Sequence, residues 1–96
     1  MTRVVVTDEA RLELTTLISS RHLPRDTHSR VRNSLEPLRS HPMIGPALGG
    51  AGEAYRFVLG PWSWMLLVYR VDVDRDTVVV TSIQDARAGD AATASG

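Results

Sequence analysis

Three arginines near the C-terminal end, Arg56, Arg70 and Arg87, are the side chains best suited to chemistry. A guanidinium stays protonated and presents a planar fork of donors, so its chemical use is to hold a phosphate or another oxyanion, not to move protons. The three fall in consecutive strand-like segments. They form a phosphate clamp if they share one face of the sheet, or a solvated row pairing with Asp72 and Asp85 if they do not. Proton transfer would need other groups. His41, Glu53 and Asp85 are the candidates for a base, and the plainer reading of His41 is a residue favoured by the dipole at a helix C-terminus.

Two further patterns bear on binding. Trp62-Ser63-Trp64 places two indoles around a turn, either closing the edge of the core or exposed to a protein or base partner. Asp72, Asp74 and Asp76 have the start of a calcium-loop spacing. Thr77 and Ile83 stand where that loop needs glycine and glutamate, so a charged hairpin tip is expected and no metal. The glycines at 45, 49, 50 and 52 lack the lysine of a phosphate loop and read as a flexible bridge. No cofactor is implied.

The elements that must position these residues follow from periodicity. Arg3 to Val6 reads as a short strand. Thr7 or Asp8 caps a helix whose apolar stripe is Ala10, Leu14, Leu17 and Ile18. Pro24 suits the first turn of a second helix running to Ser40, with Val31, Leu35 and Leu38 on one face and a kink or tightened turn at Pro37. Tyr55–Leu59, Trp64–Val73 and Thr77–Gln84 then read as strands joined by short turns. The expected fold is α+β: an N-terminal strand, a two-helix hairpin, then a three-stranded antiparallel meander, the helices covering one sheet face. Residues 1–88 make one domain, and 89–96, small and polar, a disordered tail.

Composition narrows the function classes. The chain has 96 residues, 11 basic and 11 acidic, and every basic residue is arginine. A neutral balance argues against strong non-specific nucleic-acid binding, which counterion release drives. With no cysteine, thiolate metal sites, disulfides and cysteine nucleophiles are excluded. The longest apolar run, Trp64 to Tyr69, is far below the roughly 20 residues of a membrane span. A cytoplasmic protein with no membrane partner is expected.

Four stretches, in order, carry a family resemblance: Val4-Val5-Val6-Thr7-Asp8-Glu9-Ala10; Leu38 to Gly50, with its proline and glycines; Tyr55-Arg56-Phe57-Val58-Leu59-Gly60; and Leu67-Val68-Tyr69-Arg70-Val71 followed by Val78 to Arg87. Together they resemble the RelE/ParE superfamily of type II toxin–antitoxin toxins, over about Val4 to Arg87. The resemblance implies growth arrest in bacteria, neutralisation by a cognate antitoxin, and a toxin–antitoxin hetero-oligomer. It offers two mechanisms: inhibition of a protein such as DNA gyrase without chemistry, or ribosome-dependent mRNA cleavage. For cleavage the catalytic candidates are Arg56, Arg87 and His41, with Arg70 binding RNA. For contact they are Trp62 and Trp64. The chain departs from the family where an arginine is usual and Trp64-Met65-Leu66 stand, in having no lysine, and in lacking a tail tyrosine. These departures favour the contact mechanism. A non-toxic binding module is the third reading.

Overall fold

A computed structural model describes residues 1–48 and 54–87. Its element order is β1 (Arg3–Val6), α1 (Asp8–Arg21), α2 (Thr27–Leu35), a 3-10 turn (Glu36–Arg39), β2 (Arg56–Leu59), β3 (Met65–Asp72) and β4 (Thr77–Asp85). The expected α+β architecture is present. Glu53, Gly49, Gly50, Gly52 and the proposed tail at 89–96 lie outside the described residues.

Local chemistry explains most boundaries. The Thr7 hydroxyl accepts the Ala10 N–H at 3.1 Å, capping α1, and Asp8 and Glu9 complement the helix N-terminus. Thr7→Ala is expected to cost about 1 kcal/mol, read as a lowered denaturation midpoint with an unchanged slope. At the other end His22 adopts a left-handed conformation (φ 53°), and the Leu23 N–H returns to the Ile18 carbonyl. The second helix begins later than expected. Pro24 stays outside it, its carbonyl taken by the Thr27 hydroxyl and N–H. Pro37, which has no N–H to donate, coincides with the change to a 3-10 turn.

The sheet order is β1-β4-β3-β2. β1 runs parallel to β4, and β4, β3 and β2 form the antiparallel meander. Ala10, Leu14, Val31, Leu35 and Leu38 from the helical layer meet Met65, Leu67, Tyr69, Val78, Val80 and Ile83 from the sheet in one core. The register skips Thr81: Val68 pairs with Ser82, but Tyr69 pairs with Val80. That bulge resets the alternation of β4, so Val78, Val80, Ile83 and Asp85 are all buried. Beyond the end of β1, the Ile83 N–H is taken by the Glu13 carboxylate of α1 at 3.0 Å. On the opposite face Leu66 and Val68 are buried as well, so that face is closed at its centre, while Leu59 and Val5 are exposed at its sides.

The segment after the 3-10 turn is not a free loop. Pro46 and Leu48 hydrogen-bond with Phe57 and Tyr55, and Ala47 bridges Arg56, so this segment lies along the outer edge of β2. Gly45 is required there, because a Cβ would overlap the Phe57 carbonyl. Its N–H donates to the buried Tyr69 hydroxyl at 3.0 Å. Burial pushes the Tyr69 pKa above its ordinary value, and the Gly45 N–H and the Arg56 charge only partly offset this.

Candidate functional site

The three strand arginines do not converge. Arg56 pairs with Tyr69 and Arg70 with Val79, so the two guanidiniums leave opposite faces of the sheet. Arg87 follows Asp85, which pairs with Met65 at the far end of β3, four residues from Tyr69 and so roughly 13 Å away. The clamp reading therefore fails on alternation and on strand length. Arg56 acts locally instead. Its Nη1 donates to the carbonyls of Gly45 (2.7 Å) and Met43 (3.3 Å), tying the bridge segment to β2. His41 is exposed in the same stretch, its N–H bonded to Pro37.

Arg87 belongs to a different cluster, built around Asp85. The Thr81 bulge turns this carboxylate inward, where its side chain is 3% exposed. Arg87 meets it at two points, Nε to Oδ1 and Nη2 to Oδ2, both 3.0 Å, and adds its backbone N–H. Arg21, from the last turn of α1, approaches Oδ2 with Nε at 3.1 Å and Nη2 at 3.0 Å. The Arg87 side-chain hydrogen bonds are the largest influence and Arg21 a smaller one. Against the cost of burial they hold the carboxyl well below the usual carboxylate range. A carboxylate held ionised between two guanidiniums is a poor proton acceptor at neutral pH, so Asp85 is unsuited to act as a base.

The tryptophans extend this cluster. The guanidinium of Arg87 lies 4.3 Å from the ring centroid of Trp64. Trp64 and Trp62 stack with centroids 5.9 Å apart and planes 12° from parallel. Arg30 of α2 covers Trp62 at 6.0 Å and is itself held by both oxygens of Asp26 at 3.0 Å. The result is an arginine–indole–indole–arginine column gathering α2, the β2–β3 turn and the end of β4, with α1 joined to it through Arg21 and Asp85. Both indoles are half-buried and pack against the core, so neither is the fully exposed contact that the sequence allowed. Arg21 and Arg30 carried no signal in the sequence: Arg21 is 64 residues from Asp85, and nothing in local spacing links them.

A groove of about 670 Å³ lies on another side of α2. Val4, Val6, Leu14, Val31, Leu35 and Ile83 supply apolar lining, and Arg11, Arg32, Arg39 and Glu36 supply charge. Arg39 is paired with Glu36 at 2.9 Å, whereas Arg11 and Arg32 have no acidic partner among the described residues. The adjacent β1 is an edge strand of the sheet. At the β3–β4 hairpin, Asp72 accepts the Arg75 N–H within the turn, and Asp76 accepts the Thr2 hydroxyl from the N-terminus. Among the described residues no cluster of acids and histidines could hold a metal, and no helix is long and apolar enough to cross a membrane.

No protein-family model and no curated protein sequence matches the chain. Solved structures do. The chain is similar to the toxin–antitoxin complex RelBE2 of Mycobacterium tuberculosis, at 23% identity over 88% of this chain and 96% of that one, with a TM-score of 0.64. It is similar to the isolated RelE toxin of E. coli, at 18% identity over 94% and 89% (TM-score 0.63). It also resembles the intact E. coli RelBE complex, at 19% identity over 92% and 100% (TM-score 0.63). From the parallel N-terminal strand to the inward-turned Asp85, this chain has the fold of the RelE/ParE-type toxins.

Proposed function

We propose that this chain is the toxin of a type II toxin–antitoxin module, acting in the bacterial cytoplasm by contact with a protein target such as DNA gyrase. The observation that carries the toxin reading is the likeness to RelE, free and in complex with its antitoxin, over nine-tenths of the chain. The contact mechanism rests on the dispersal of the candidate catalytic groups. Arg56 is engaged by backbone carbonyls, and Arg87 is engaged by Asp85 at the other end of the sheet. Cleavage of RNA at a 2′-hydroxyl needs a base, an acid and a cation at one phosphate.

The groove beside β1 suits the antitoxin. Its apolar lining and the charges of Arg11 and Arg32, which have no acidic partner among the described residues, match an amphipathic segment with an acidic border. Ribosome-dependent mRNA cleavage is the second reading, favoured by the likeness to RelE itself.

Inducible expression in a bacterial host, with mRNA 5′ ends mapped after induction, tests these readings. Growth arrest with intact messages is expected, relieved by co-expression of the neighbouring open reading frame. New 5′ ends inside translated messages would establish the nuclease instead. Absence of arrest from soluble, folded protein would leave a non-toxic binding module.

A further inference from the structure

We propose that the arginine-capped indole column is the surface through which this chain grips its target, and that the target presents an acidic protein patch there. The inference rests on the contact-inhibitor reading above and adds to it a surface and a partner chemistry. Tryptophan and arginine are the side chains that most often dominate binding energy at protein interfaces. Here the indoles and Arg87 are pre-organised. Arg87 is fixed in its plane by two-point pairing with Asp85 and along its normal by Trp64. Arg87 therefore has little side-chain freedom left to lose on binding. Arg30 is held more loosely, its Nε shared between the two oxygens of the exposed Asp26 and its guanidinium 6.0 Å from the Trp62 ring centroid.

The charge balance selects the partner. Among the described residues, Arg21, Arg30 and Arg87 face only Asp85 and Asp26 in this cluster, which leaves it positive. Their side chains are 44%, 50% and 56% exposed, while Asp85 is covered. Nη1 of Arg87 takes no part in the Asp85 pair and is a donor for an incoming carboxylate. A nucleic-acid strand fits less well. Each indole stacks on the other and has a guanidinium near its ring, at 6.0 Å for Trp62 and 4.3 Å for Trp64, so both rings are engaged within the chain and not splayed as a platform for bases. The chain also has no net charge to attract a phosphate backbone.

Trp62 and Trp64 are the only tryptophans, so emission excited beyond the absorption of tyrosine reports on this surface alone. The full chain is titrated with a synthetic peptide of alternating glutamate and leucine, and separately with an oligouridylate of equal charge. A saturable change in tryptophan emission with the peptide is expected. It should weaken about tenfold in the Arg30→Gln/Arg87→Gln double variant and persist in Arg32→Gln, which alters the groove. No response, an equal response in the double variant, or a response to oligouridylate alone overturns the proposal. If circular dichroism shows the double variant unfolded, Arg30→Gln alone, remote from Asp85, serves in its place. In cells the folded variant should lose growth arrest at wild-type abundance, and full arrest from it overturns the surface while leaving the toxin reading intact. A wild-type chain that never arrests growth overturns the toxin reading, and the titration still decides whether the column binds acidic protein.

Discussion

Replacing Tyr69 by alanine is expected to remove about 4 kcal/mol of stability. Tyr69 is fully buried at the centre of the helix-facing side of β3, and its hydroxyl is the acceptor for the Gly45 N–H. Truncation opens a cavity between the two layers and frees the bridge segment from the sheet. A domain of this size has roughly 5–10 kcal/mol in total, so the variant should be largely insoluble at 37 °C. Tyr69→Phe separates the two contributions. It keeps the ring and strands the buried N–H, for a cost of about 1–2 kcal/mol. Chemical denaturation of both variants checks the pair. Equal stability of Tyr69→Phe and wild type would mean that the hydroxyl does not hold the bridge.

Asp85→Asn should cost about 2 kcal/mol at neutral pH. The substitution keeps the shape of the side chain and removes the charge that gathers Arg21 and Arg87. A fully buried pair would cost more to break, about 3–5 kcal/mol. Both arginines here are about half exposed and return to water, where solvent screens them. The pH dependence carries the sign. The folded carboxyl is held below the value near 4 that it has in an unfolded chain. Its stabilising contribution is therefore complete above about pH 4 and is lost as pH falls from there through the folded value. Melting curves should show the wild type losing stability on acidification and the gap to Asp85→Asn closing below about pH 4. A gap of constant size across that range would show that the ion pairs contribute nothing to folding.

Much of the fold was legible in the residues. The Thr7 cap, the stripe through Ala10 and Leu14, the tightened turn at Pro37 and the three late strands each arise from interactions within a few positions of one another, and such interactions leave a spacing in the chain. The start of the second helix was displaced because Pro24 serves as an acceptor before the helix rather than as its first residue. The candidate site was less legible. Trp62, Trp64 and Arg87 stood out by residue type, but their partners Arg21 and Arg30 did not, since long-range ion pairs and stacking have no period.

The contrast is sharpest on β4. Strict alternation from Val78 carries Val80, Ser82 and Gln84 inward. The unpaired residue at Thr81 shifts the phase, and Ile83 and Asp85 go inward instead. Composition and local spacing thus determined the elements, their order and the layer architecture, because one apolar face per element permits few arrangements. Which charges meet was decided only in three dimensions. Alternation sent Arg56 and Arg70 to opposite faces, and one bulge turned a carboxylate inward to collect arginines from α1 and the end of β4.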